Sequence, residues 1–133
     1  LYSDKGKVMK VFGAHDSDGL KLINKFLKIL FISADKRGFG ITKKRIQNDL
    51  GYKLKFVTAE ERYEFIKKMN FQKVAYIGDG YFDKEILKDC LYGIAPKNAR
   101  VEARKSADYV TLSNSGEGAV LDACLKLISK FFN

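Results

Sequence analysis

No apolar run in these 133 residues approaches the ~20 needed to cross a bilayer, and nothing at the start reads as a secretory leader. A membrane partner is therefore not expected. Cysteine is scarce, with only Cys90 and Cys124, and there is one histidine, His15. That set cannot build a zinc site of the usual kind. Both cysteines fall on apolar faces of helical patterns, so buried free thiols in a reducing cytoplasm are expected. No repeat, low-complexity tract or linker interrupts the chain, and residues 1–133 are read as one domain.

What is present points to a packed core. Hydrophobic residues make up 46% of the chain, and a chain of this length can bury about two-thirds of its unfolded surface. The net charge is +9, but its 25 basic residues are spread over helix surfaces without long runs. Nucleic acid is therefore not the expected partner. A small anion such as a phosphate ester suits the same excess.

Nearly continuous apolar segments, Lys28 to Ala34 and Lys73 to Ile77, read as strands covered on both faces. Shorter β-prone pieces follow at Tyr92 to Ala95 and Tyr109 to Thr111. Helical patterns alternate with them: Asp18 to Leu27, Ile41 to Leu50, Ala59 to Met69, Asp83 to Leu91, Asn98 to Ser106 and Gly116 to Phe131. Thr58 and Glu61 form a capping box ahead of the third helix. Strand–helix alternation predicts an α/β fold with a parallel sheet. Leu1 to Phe12 reads as a hairpin turning at Asp4-Lys5-Gly6, an embellishment on that sheet.

The most informative stretch is Ile77-Gly78-Asp79-Gly80-Tyr81-Phe82-Asp83. An apolar strand ends in Gly-Asp, and a second acid stands four residues later. In open α/β sheets, ligands bind beyond the carboxyl ends of the strands. A carboxylate there, with glycines on either side, is a hard oxygen ligand suited to Mg²⁺, whose octahedron waters and a phosphate complete. Asp83 can cap the following helix or steady Asp79. The same residues also suit a plain strand-to-helix turn.

This loop resembles the last motif of the haloacid dehalogenase phosphatases. Phe31-Ile32-Ser33-Ala34 resembles their second motif, an apolar strand ending in a phosphate-binding hydroxyl. Ala107 to Thr111 and Ser115 to Val120 are similar to later segments of the capless KDO 8-phosphate phosphatase type. The resemblance implies a Rossmann-like, three-layer parallel sheet with an N-terminal hairpin, in a cytoplasmic homotetramer. It implies Mg²⁺-dependent hydrolysis of a small phosphorylated metabolite, a sugar-acid phosphate. Asp79 takes the place of the metal ligand. Arg62 and Asp83 take catalytic places, Arg62 standing where the family has lysine. Ser33, Ala34, Lys36 and Arg37 are the candidate phosphate- and substrate-binding residues.

Three departures qualify that expectation. Gly80 stands where a second acid is usual. Ala34-Asp35 replaces the Gly-Arg that follows the family's serine. The family's nucleophile motif, Asp-x-Asp after an apolar strand, is not found; Asp16 and Asp18 have the spacing but lie at a helix start. The resemblance thus implies a core strand ahead of Leu1, on about 15 to 30 further residues. The alternative is an inactive domain of the same fold that binds a ligand or partner.

Overall fold

The computed structural model describes residues 2–3, 6–7 and 15–132. Strands β1 (Tyr2–Ser3) and β2 (Gly6–Lys7) pair antiparallel, as expected of a hairpin. The expected turn at Asp4-Lys5 and the residues from Val8 to Ala14 lie outside the described residues.

Helix α1 (Asp16–Ile23) leads to β3 (Leu30–Ser33). Helix α2 (Phe39–Lys43) runs into a π-helical turn, Lys44–Asp49. Then come β4 (Lys53–Phe56), α3 (Arg62–Lys67), β5 (Ala75–Ile77), α4 (Lys84–Asp89), β6 (Tyr92–Ala95), α5 (Val101–Ser106), β7 (Tyr109–Val110) and α6 (Ala119–Phe131). Strand β4 was not anticipated. Its Lys-Leu-Lys-Phe alternation is that of an edge strand, whose lysines stay exposed and discourage further pairing.

All the ladders from β3 onward are parallel. Strand β3 pairs with β4, Leu30 opposite Lys53 and Ser33 opposite Phe56. Strand β6 lies between β5 and β7. Among the described residues no ladder joins β3 to β5. The two sheets nevertheless share both cores. Ile32 packs against the cluster built by Ile66, Tyr76, Ile86, Leu87 and Ala103, under α3, α4 and α5. Phe31 packs on the other side, against Leu20, Ile23, Ile94 and Leu127, under α1 and α6. The result is a three-layer α/β/α arrangement with β3 and β5 in its middle layer.

Helices α1 and α6 pack closely at Gly19, where an added Cβ would lie 2.8 Å from Leu121 Cα. The glycines before α6 have a backbone reason. Gly116 and Gly118 have φ of +81° and +110°, a region other residues enter only with strain. Cys90 and Cys124 are buried free thiols, and burial pushes each thiol up to about 11.

Candidate active site

The carboxyl ends of β3 and β5 open onto one cavity of about 350 Å³, within the size range of small-molecule sites. Ser33, Ala34 and Asp35 line it from the β3 side, and Ile77, Gly78 and Asp79 from the β5 side. Ile32, Arg62, Tyr76 and Asp83 complete the lining.

Each segment is held by its backbone. After β3, the Asp35 N–H donates to Ser33 Oγ (3.2 Å), and the Gly38 N–H donates to Asp35 Oδ1 (2.9 Å). Ser33 Oγ accepts there, which leaves its proton to donate to a ligand oxygen. After β5, the Gly78 N–H continues the ladder to the Ile94 carbonyl (3.1 Å), and the Arg100 N–H donates to the Asp79 carbonyl (2.9 Å). The loop is thus tied to β6 and to the start of α5. The Asp79 side chain is exposed at the cavity.

Asp83 is turned inward and only 2% exposed. Its Oδ1 accepts from Arg62 Nη1 (2.7 Å) and from the Tyr76 hydroxyl (2.6 Å), and its Oδ2 accepts from the Gly80 N–H (2.8 Å). A buried carboxylate demands such company. Burial alone would pull the Arg62 guanidinium down, but Tyr76 and Asp83 beside it outweigh that and raise it. Burial first, and then the charge of Asp83, push the Tyr76 hydroxyl well above its ordinary value, so it remains a donor. Arg62 Nε is buried without a hydrogen-bond partner among the described residues.

The structure brings together five of the seven expected residues: Ser33, Ala34, Arg62, Asp79 and Asp83. It does not bring in Lys36 and Arg37, which are exposed and outside the cavity lining. The turn closed by Asp35 carries both into solvent, and Asp35 itself faces the cavity. His15 is exposed at the start of α1, with no side-chain cap bond. Sequence reasoning missed Tyr76. The signal for it was a hydroxyl inside an apolar strand, which needs a buried partner.

No group of three or more acidic, histidine or cysteine side chains placed to hold a metal exists among the described residues. Asp83 is committed to Arg62 and Tyr76, so Asp79 is the carboxylate presented to the cavity by the loop. One carboxylate with phosphate oxygens and waters still matches the way Mg²⁺ is usually held.

Residues 13–123 match the model of a family described as haloacid dehalogenase-like hydrolases. Comparison with curated proteins by sequence returned no match. Among solved structures, a probable YrbI-family phosphatase of Pseudomonas syringae pv. phaseolica superposes with a TM-score of 0.82 at 25% identity, over 96% of this chain and 75% of that one. The cobalt-bound deoxy-D-mannose-octulosonate 8-phosphate phosphatase of Haemophilus influenzae gives 0.79 at 21% identity, over 96% and 77%. The 3-deoxy-D-manno-octulosonate 8-phosphate phosphatase of Moraxella catarrhalis, in complex with magnesium, phosphate and KDO, gives 0.78 at 23% identity, over 97% and 76%. At these last two identities the likeness is one of fold.

Proposed function

The chain belongs to the haloacid dehalogenase-like hydrolases, and from that premise we propose that it is a Mg²⁺-dependent phosphomonoesterase acting on a small sugar-acid phosphate. The observation that carries this reading is the meeting of Ser33, Arg62 and Asp79 around one cavity, although 28 and 16 residues separate them in turn.

Each group has a part that follows from its chemistry. Ser33 donates a hydrogen bond to a phosphoryl oxygen. Arg62 offers a planar, permanently charged fork to the same group. Asp79 would hold the cation, with the substrate's own oxygens and water filling the remaining positions. That cation supplies charge neutralisation at the phosphoryl group. Asp83 fixes Arg62 and, through the Gly80 N–H, the loop that carries Asp79.

The attacking carboxylate is proposed to come from a strand seated between β3 and β5. Among the described residues no ladder joins those two strands, and the cavity lies at their carboxyl ends. The sugar-acid substrate is proposed from the octulosonate 8-phosphate for which the Haemophilus and Moraxella neighbours are named, and a tetramer from the family resemblance.

The test is phosphate release from a panel of sugar-acid phosphates by the protein expressed from its whole reading frame, with Mg²⁺. Asp79→Asn is expected to lower turnover by about 10²–10³-fold, as loss of one charge-stabilising group does elsewhere. Equal turnover in mutant and wild type would refute the role of Asp79. No turnover in either favours a second reading, an inactive ligand-binding domain. The observation behind that reading is the single carboxylate the loop presents, with Gly80 beside it.

A further inference from the structure

We infer that Tyr76 is a positioning residue, which with Asp83 turns the side-on edge of Arg62 toward a phosphoryl group in the cavity. This rests on the proposal that the cavity binds phosphate.

The argument starts from guanidinium geometry. Arginine binds a phosphate or carboxylate in two ways, end-on through both Nη atoms or side-on through Nε with Nη2. Asp83 takes one N–H of Nη1 at 2.7 Å, a contact that does not involve Nε. The side-on edge is left, and its Nε is buried without a partner among the described residues. A buried N–H with no acceptor is costly, and in native structures it calls for an explanation. An oxyanion beside it supplies one, since Arg62 borders the cavity together with Ser33 and Asp79.

Tyr76 sets this choice. Its hydroxyl donates to Asp83 Oδ1, the same oxygen that receives Arg62 Nη1. The Gly80 N–H holds Oδ2. The carboxylate is therefore gripped at both oxygens and cannot swing to offer Arg62 a different edge. Tyr76 is 8% exposed on β5, and its ring packs in the core beneath α4, so the hydroxyl is anchored by the strand. Gly78 is part of the arrangement. A Cβ there would lie 2.7 Å from both Asp83 Cγ and the Tyr76 ring.

The test is an NMR titration of the ¹⁵N-labelled protein with inorganic phosphate, without metal. The Arg62 Nε–H resonance is assigned by its disappearance in Arg62→Lys. In the wild type it is expected to shift as phosphate binds. In Tyr76→Phe the fold is retained, the Arg62 resonance is displaced before phosphate is added, and phosphate affinity falls by roughly five- to ten-fold. Loss of stability alone would not move that resonance. Wild-type protein that binds no phosphate removes the reading on which the inference rests, and the inference with it. Wild-type binding with an unchanged Arg62 resonance or unchanged affinity in Tyr76→Phe overturns the role of Tyr76 alone. If Tyr76→Phe fails to fold, Asp83→Asn is judged by the same two readouts. No change in it is equally fatal.

Discussion

Asp79 and Asp83 lie four positions apart on one loop, yet their surroundings assign them opposite tasks. Asp79 faces the cavity and is exposed; Asp83 is buried and bound by three donors. Burial of a carboxylate is unfavourable unless its oxygens are satisfied, and the neighbouring glycine allows that satisfaction. Gly78 leaves room for the Asp83 carboxylate and the Tyr76 ring to meet. Gly78→Ala is therefore expected to cost about 1–3 kcal/mol of stability, the usual penalty for overpacking. It should also weaken phosphate binding, because it displaces the anchor of Arg62. Urea unfolding with a phosphate titration checks both, and a variant unchanged in each contradicts the packing described. At this scale the sequence was legible where chemistry is local. The Gly-Asp-Gly loop and Ser33 at a strand end could be read from neighbouring residues. The contact between Arg62 and Asp83 spans 21 positions. It was not anticipated: the resemblance gave each residue a place separately, and no local rule relates residues so far apart.

Among the elements, the strands covered on both faces were the easiest to read. All four residues of β6 are buried, as its apolar run implies. Strand β4 was missed because its alternating lysines resemble a solvated segment, and only pairing with β3 reveals it. Helix ends were also misplaced. Helix α3 begins at Arg62 rather than Ala59, although Thr58 Oγ1 does accept from the Glu61 N–H (3.3 Å). The later start places Arg62 in the first turn, beside the cavity. The second helix changes to π-helical winding at Lys44, which side-chain periodicity does not signal. Helix α4 packs against β6, α5 and β5, and its Leu87 is fully buried. Leu87→Ala is expected to lose about 2–5 kcal/mol, a large part of the total for a typical domain. Chemical denaturation measures it directly, and a loss below about 1 kcal/mol would place the core elsewhere.

For the whole molecule, the decisive feature is that the carboxyl ends of β3 and β5 line one cavity. Parallel sheets are normally continuous and covered on both faces. Here both faces are covered, by α1 and α6 on one side and α3, α4 and α5 on the other, while no ladder links β3 to β5 among the described residues. Leu30 and Ile77 of those strands remain 37% and 40% exposed. The fold class could be read from the order of elements, because strand–helix alternation leaves few topologies. The meeting of β3 and β5 at one cavity could not, because that contact is non-local. The chain is a haloacid dehalogenase-like hydrolase, and its geometry gathers Ser33, Arg62 and Asp79 around one cavity.

The most direct measurement is a crystal structure of the protein grown with Mg²⁺ and inorganic phosphate. The account predicts a phosphate between Ser33 Oγ and the Nε edge of Arg62, with the cation on Asp79. A phosphate bound elsewhere, or an Asp79 side chain turned away from both ions, would contradict it.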